Sequence, residues 1–357
     1  MEARMHRCLE LAARGRGQVH PNPLVGALLL DGERVVAEGW HHGVGLAHAE
    51  ADCLKDIPDG AAAGMTLVVN LEPCCHHGRT PPCTELLVRK GIRRVVCGMV
   101  DPDPRMAGKG ITWLREHGVD VQVGVLEPAC RAMNANFITA VQKGRPRIVL
   151  KWAQSLDGRI ALTRGRPTEV TGPESRRETH RLRTRLPAIL IGLGTAIADD
   201  PLLTVRDVEG PSPVRVVLDA HARLPVASRL VRSAREVPLR VLCGSEADAT
   251  SVSALENLAC STSSTRLPLE DGLLPLHRVL DVLHADGING VLVEGGATVL
   301  RMFLEQGLLD EAWCLLAPRV FGRGLEVFHG LDLPRSFEII DQRRHGADCW
   351  LRLQPLA

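Results

Sequence analysis

The chain has no tyrosine, and aromatic residues make up only 3% of it. Proteins that hold single-stranded nucleic acid stack bases on such rings along a basic groove. This chain lacks the basic surplus too: 43 Lys and Arg stand against 42 Asp and Glu, a net charge of +1. The same balance removes the electrostatic footprint of a membrane-surface protein. No run reaches the roughly 18 uninterrupted apolar residues of a membrane span. Met1-Glu2-Ala3-Arg4 starts no apolar signal segment. Neither a nucleic-acid nor a membrane partner is therefore expected. What is present suits an ordered globular protein, with 45% hydrophobic and 24% charged residues. At about 150 residues per domain, 357 residues make two domains, each long enough to bury a core without disulfide or metal support. Eleven cysteines, an odd count with no secretion signal, point to a reducing cytoplasm where Cys is a thiol, a packing residue or a metal ligand.

Apolar periodicity predicts alternating helices and strands through the first 145 residues. Met5, Cys8, Leu9 and Ala12 recur at helical spacing up to Gly15, and Leu24 to Leu30 with Arg34 to Glu38 read as a hairpin turned at Asp31-Gly32. Helices follow at Ala47 to Ile57, Thr84 to Lys90, Lys109 to His117 and, as one long element, Glu127 to Lys143; strands fall at Met65 to Leu71, Val95 to Val100 and Val119 to Val123. Such alternation predicts helices on both faces of a mixed sheet. Lys143-Gly144-Arg145-Pro146 marks the boundary, giving domains 1–144 and 145–357. Beyond it an apolar run at Arg147 to Trp152 opens a second series. Its strands are Ala188 to Gly192, Arg215 to Asp219, Leu239 to Cys243, Gly290 to Glu294 and Ala312 to Ala317, with helices at Pro173 to Arg185 and Ala297 to Gln306. Ser245 to Leu269 reads as a surface region of helix and loop, and no internal repeat is present.

Chemistry concentrates in His48-Ala49-Glu50, Glu72-Pro73-Cys74 and Cys83. One imidazole and two thiolates suit Zn²⁺, and three protein ligands leave a fourth position for water, the pattern of a catalytic site. Zinc lowers the pKa of that water towards about 7, which makes hydroxide available at neutral pH. Glu50, near a helix N-terminus, would take its proton and pass it to a ring nitrogen and a leaving amine, hydrolysing an amino-substituted heterocycle. The usual deaminase spacing is Pro-Cys-x-x-Cys, whereas eight residues separate Cys74 from Cys83 here. Cys75 is an alternative ligand; because adjacent cysteines rarely both face one ion, Cys74 is preferred and Cys75 placed in the pocket lining. In the second half, Glu294-Gly295-Gly296 between a buried strand and a helix allows a phosphate to approach backbone N–H groups. Gly192-Leu193-Gly194-Thr195 is a weaker turn of the same kind, and neither completes a dinucleotide fingerprint.

Cys74 to Cys83, Pro21-Asn22-Pro23-Leu24-Val25-Gly26, His41 before His48, and Asp101-Pro102-Asp103-Pro104 with Gly108-Lys109-Gly110 closely resemble the bacterial riboflavin-biosynthesis deaminase/reductase family. Lys151 to Arg159, Thr195 to Arg206 and the Glu294-Gly295-Gly296 turn resemble its reductase half. The resemblance implies a cytidine-deaminase-like three-layer α/β/α domain followed by a dihydrofolate-reductase-like α/β domain. It implies one Zn²⁺ on His48, Cys74 and Cys83, Glu50 as proton shuttle, and Asn22, His41 and Asp101 around the deaminase substrate. It places NADPH against Ala153, Thr195, Asp199 and Gly296, Ala297, Thr298 and Val299. Lys151, Arg183, Leu202, Arg206 and Glu294 would meet the reductase substrate, the two arginines clamping its phosphate. The implied reactions are zinc-assisted deamination of 2,5-diamino-6-(5-phosphoribosylamino)pyrimidin-4(3H)-one and NADPH-dependent reduction of its ribosyl chain to ribityl, by a cytoplasmic homo-oligomer.

Some residues depart from that family. Cys75 stands for a common Ser and Asp103 for a common Asn. The segment usually read Gly-x-Ser-x-Trp-Ile-Thr is Gly165-Arg166-Pro167-Thr168-Glu169-Val170-Thr171, and Ala220 follows Asp219 where Ser or Thr is frequent. Pro167 removes a hydroxyl and a backbone N–H, and Glu169 puts an acid where an aromatic packs beside the cofactor. Two alternatives follow: a deaminase with a degenerate or re-purposed second domain, or a non-catalytic zinc scaffold.

Overall fold

The structure, a computed structural model, describes residues 1–77, 81–258, 262–332 and 334–356. The chain divides into two units, Met1–Gly144 and Arg145–Ala357.

The first unit runs α1 (Glu2–Ala13), β1 (Gly26–Asp31), β2 (Arg34–Trp40), α2 (Ala49–Cys53), β3 (Thr66–Val69), α3 (Cys83–Lys90), β4 (Arg94–Cys97), α4 (Lys109–Glu116), β5 (Asp120–Val123), α5 (Glu127–Met133) and α6 (Ala135–Lys143). Among the described residues its sheet has the order β2-β1-β3-β4-β5. The β1 strand is antiparallel to β2 and β3, while β3, β4 and β5 are parallel. Alternate residues face opposite sides, as a pleated strand requires. Ala27, Leu29, Leu67, Val69 and Val95 pack on one side with Leu87, Ile111 and Leu114. Leu28, Leu30, Val68 and Val96 pack on the other with Met5, Leu9, Leu11 and Ile138. The result is an α/β/α sandwich.

Two expected helices come out differently. The segment Glu127 to Lys143 is two helices, broken at Asn134. The Asn134 side chain, 2% exposed, forms a peptide-like pair with the Leu24 backbone: Oδ1 accepts its N–H at 2.8 Å and Nδ2 donates to its carbonyl at 3.0 Å. A buried amide that satisfies another segment's backbone gains more than one that continues a helix. The helix expected at Ala47 to Ile57 is regular only over Ala49–Cys53, because the chain tightens before Pro58, with the Ile57 N–H bonded to the Leu54 carbonyl.

The second unit runs β6 (Arg147–Ser155), β7 (Arg159–Ala161), α7 (Pro173–Arg183), β8 (Ala188–Gly192), α8 (Leu193–Asp199), β9 (Val214–Leu218), α9 (Arg229–Arg232), β10 (Leu239–Gly244), α10 (Ala249–Leu258), β11 (Thr262–Leu267), α11 (Leu276–Ala285), β12 (Gly290–Val293), α12 (Ala297–Glu305), β13 (Glu311–Ala317), β14 (Leu325–Glu326), β15 (Phe337–His345) and β16 (Asp348–Pro355). Its main sheet has the order β11-β10-β9-β8-β12-β6-β13-β16-β15. Strands from β11 to β13 are parallel; β16 and β15 close one edge as an antiparallel hairpin. Residues of α11 and α12 cover one face and those of α7, α8, α9 and α10 the other. The carboxyl ends of β6, β8, β9 and β12 therefore share one edge, where ligands bind parallel sheets.

Candidate active sites

In the first unit, His48 caps the N-terminus of α2 and Cys83 is the first residue of α3. Cys74 lies on the loop after β3. Two backbone bonds close this loop: Cys83 N–H to Cys74 Sγ at 3.3 Å, and Thr84 N–H to the Cys74 carbonyl at 3.1 Å. They bring the two cysteines together despite their long spacing. His48 Nδ1 lies 3.5 Å from Cys74 Sγ and 3.4 Å from Cys83 Sγ, and the three ligand atoms fall within 4.8 Å of one another. A tetrahedral zinc with its usual bond lengths sets N···S edges of about 3.6 Å. The residues present fit that ion, and Cys75 lies outside the cluster. Hydrogen bonds from Cys83 and His48 hold the Cys74 thiol well below its ordinary value, despite burial, whereas Cys83, beside that thiolate, is pushed up. Glu50, 4% exposed, is pushed up to about 7 by burial first and by Cys74 second. A carboxyl at that value both takes and gives a proton at neutral pH.

The pocket around the cluster is held by buried amides and one buried acid. Asn70, fully buried, accepts from Gly26 N–H at 2.8 Å and donates to the Leu24 carbonyl at 3.0 Å. With Asn134 it fixes the segment that carries Asn22. Asn22 Nδ2 lies 3.1 Å from His41 Nε2, and His41 Nδ1 lies 2.9 Å from the Ala47 carbonyl. A carbonyl can only accept, so the proton sits on Nδ1 and Nε2 accepts from Asn22. Burial pushes His41 down, in keeping with this neutral form. Glu72 accepts four backbone N–H groups, from Asp101, Gly108, Gly110 and Ile111, at 2.8–3.2 Å. It thereby caps α4 and holds Asp101 beside the zinc loop. Burial pushes the Asp101 carboxyl up. A Cβ on Gly110 would lie 2.1 Å from the Pro73 carbonyl, so only glycine allows α4 to approach that loop. Glu72 carries no role in the sequence reading beyond its place in the Glu72-Pro73-Cys74 motif, and Asn70 does not stand out there at all. Glu72 beside Pro73-Cys74 offered a signal by adjacency, whereas Asn70 offered none.

In the second unit, Lys151 and Ala153 lie on β6, Thr195 and Asp199 on α8, Glu294 after β12, and Gly296 to Val299 at the start of α12. The turns after β8 and β12 are joined by a bond from Gly296 N–H to Thr195 Oγ1 at 2.9 Å. Val299 packs where a Cβ on Gly192 or Gly295 would sit, 2.8 Å away in each case. Gly192 and Gly295 are thus the positions that let Val299 pack between the two turns. Burial pushes the Asp199 carboxyl up. The two arginines expected to clamp phosphate have different partners. Arg183 gives Nε and Nη2 to the two oxygens of Glu294, at 2.8 and 2.9 Å, and Nη1 to the Thr204 carbonyl at 3.1 Å. Arg206 is exposed, with Nη1 on Thr204 Oγ1 at 3.3 Å. Lys151 Nζ stands 3.8 Å from Glu294 Oε2, and burial pushes its ammonium down.

Residues 1–99 match the family described as the cytidine and deoxycytidylate deaminase zinc-binding region. Residues 146–350 match the RibD C-terminal domain. A riboflavin biosynthesis protein RibD from Aquifex aeolicus is 38% identical over 90% of this chain and 88% of its own. The chain belongs to the RibD family. RibD from Escherichia coli is 35% identical over 98% of both chains. The crystal structure of a diaminohydroxyphosphoribosylaminopyrimidine deaminase/5-amino-6-(5-phosphoribosylamino)uracil reductase from Thermotoga maritima superposes with a TM-score of 0.86 at 36% identity, over 99% of this chain and 98% of that one. The first unit is accordingly cytidine-deaminase-like and the second a RibD reductase domain.

Two departures from the RibD pattern acquire partners. Glu169, 82% exposed at its side chain, turns outward to Arg176 at 3.1 Å on α7, and Arg319 holds its carbonyl at 2.6 Å. Its charge is therefore matched by a cation of this chain. Asp103 is gripped by Arg105 through Nε and Nη2 at 2.6–3.0 Å, which holds the carboxyl below its ordinary value and offsets its charge at the pocket. No helix among the described residues is long and apolar enough to cross a membrane.

Proposed function

We propose that residues 1–144 deaminate 2,5-diamino-6-(5-phosphoribosylamino)pyrimidin-4(3H)-one and that residues 145–357 reduce the ribosyl group of the product, two successive steps of riboflavin biosynthesis. The observation that carries the reading is the convergence of His48, Cys74 and Cys83 beside a buried, proton-holding Glu50. Zn²⁺ held by those three residues supplies Lewis acidity that brings the ionisation of water near pH 7. Glu50 takes a proton from the attacking water and gives it to the ring nitrogen; it then takes the proton of the hydroxyl added at the ring carbon and gives it to the amine, which leaves as ammonia while the carbonyl forms. Asn22, His41 and Asp101 orient the pyrimidine and ribose.

In the second unit Ala153, Thr195, Asp199 and the turn from Gly296 to Val299 would hold NADPH, which would supply the hydride. Lys151 and Glu294 face the reacting part of the substrate, and Leu202 and Arg206 hold its sugar phosphate. Arg183 contributes by fixing Glu294. Hydride transfer demands placement of the nicotinamide against the sugar carbon more than an acid–base dyad. The same reading carries a homo-oligomer working in the cytoplasm.

Single-turnover assay of zinc-loaded protein tests both steps. The expected result is ammonia release from the diamino substrate, and NADPH oxidation only when the deaminated product is present. Deamination without substrate-dependent NADPH oxidation would leave the first reaction and sink the second. Bound zinc with neither reaction would favour the scaffold.

A further inference from the structure

The loop from Asp200 to Asp207 carries Leu202 and Arg206, and its backbone takes an unusual course. Asp200, Leu203 and Asp207 have φ of 36°, 56° and 63°, the left-handed region that side chains with a Cβ disfavour. A loop of that shape needs restraints from outside itself. Three side chains supply them, two buried and that of Arg183 half-buried, each on a different backbone group. Arg215 Nη1 donates to the Leu202 carbonyl at 3.3 Å, and Arg183 Nη1 donates to the Thr204 carbonyl at 3.1 Å. His180 Nδ1 receives the Arg206 N–H at 3.2 Å. Of these three, the imidazole alone changes charge in the ordinary pH range.

We infer that His180 is a positioning residue for Arg206: as a neutral imidazole it anchors the Arg206 backbone, and protonation releases that anchor. A backbone N–H needs an acceptor, and Nδ1 accepts only when it carries no proton. His180 sits on α7, 7% exposed, one turn before Arg183. The charged groups that face it are Arg183 on its own helix, Arg206 and Asp207 on the loop, and Glu294 after β12. Burial comes first in pushing the imidazole below its ordinary value, and the two arginines add to it; Glu294 and Asp207 work the other way. The clamp is therefore set at neutral pH and opens on the acid side. This rests on the reading of Arg206 as a contact of the substrate phosphate.

The test compares His180→Leu, which removes the acceptor, with His180→Asn, which keeps an acceptor that cannot titrate. Loss of one anchoring hydrogen bond is expected to raise the KM of the deaminated substrate about tenfold in His180→Leu. The KM for NADPH and kcat should stay within about twofold, because uniform substrate binding alone is lost. His180→Asn should return the KM towards wild type at pH 7. Substrate phosphate itself titrates near pH 6, so wild-type KM should climb more steeply than that of His180→Asn as pH falls from about 7 to 5. Coincident acid limbs would overturn the inference, as would a folded His180→Leu protein with wild-type KM or with kcat and both KM values impaired alike. Should His180→Leu fail to fold, the acid limb of His180→Asn decides. Calorimetric titration with ribose 5-phosphate separates this from the reductase reading. Weaker binding by folded His180→Leu at pH 7, or a steeper loss of binding from pH 7 to 5 in wild type than in His180→Asn, supports the positioning role even if NADPH is never oxidised; equal binding and equal loss overturn it.

Discussion

The carboxylate of Glu294 receives Nε and Nη2 of Arg183 at 2.8 and 2.9 Å, across 111 residues of sequence. Lys151 Nζ stands 3.8 Å from the same carboxylate. Burial alone would push Glu294 up, but Arg183 and Lys151 together outweigh it and bring the carboxyl down to about 2. One acid thus holds two cations at the carboxyl edge of the sheet, and its loss would strand both.

Glu294→Gln should therefore destabilise the second unit by roughly 3–5 kcal/mol, the scale for breaking one side of a buried ion pair. Because the folded-state value lies below the ordinary 4.5, the ionised carboxylate contributes stability above the ordinary value and loses it as pH falls towards about 2. Chemical denaturation at a series of pH values should show this acid loss in wild type, and less of it in Glu294→Gln. Equal stability of the two proteins at pH 7 would contradict the pairing.

Glu50→Gln keeps shape and hydrogen bonding but removes the titrating proton. Deamination should fall by about 10²–10⁴, with zinc content by elemental analysis unchanged and NADPH-dependent reduction of the deaminated substrate retained. Near-normal deamination with zinc bound would refute Glu50 as the proton carrier.

Gly110→Ala would set a Cβ 2.1 Å from the Pro73 carbonyl. Overpacking of this kind costs roughly 1–3 kcal/mol, and the strain should fall on the loop that presents Cys74. Zinc affinity, measured by competition with a chelator, is expected to weaken along with thermal stability. Unchanged affinity would separate α4 from the metal loop.

Asn70→Ala strands the Gly26 N–H and removes one of the two side-chain donors to the Leu24 carbonyl. At about 1–3 kcal/mol for one buried group left without a partner, urea unfolding should show a loss of roughly 1–3 kcal/mol. The KM for deamination should also rise, because Asn22 lies on the segment that is freed.

Glu169→Gln should change little. Its side chain is mostly exposed and pairs with Arg176 at 3.1 Å, an arrangement worth about 0–1 kcal/mol. NADPH affinity within about twofold of wild type is expected. A large gain in affinity would mean that this acid does act on the cofactor.

Zinc chemistry and the alternation of elements were legible in the sequence because both are local. Ligand types, the acid two residues after His48 and apolar periodicity all lie within short windows, and side-chain chemistry acts there whatever the rest of the chain does. The hairpin β15–β16 was not legible. Most of β15 is exposed, so it has no apolar face to alternate, and α11 and β11 were hidden in or beside the region from Ser245 to Leu269 that reads as surface. The break at Asn134 was invisible for another reason: it answers the unpaired backbone of Leu24, 110 residues earlier. Tertiary structure alone decided what each site charge faces. From the sequence, Arg183 is a phosphate clamp, Glu169 an acid where an aromatic packs beside the cofactor, and Asp103 a charge in place of a common Asn. Strand order and loop course add a partner within the chain to each of them, because the energy of a charge depends on distance and burial, which sequence spacing does not contain.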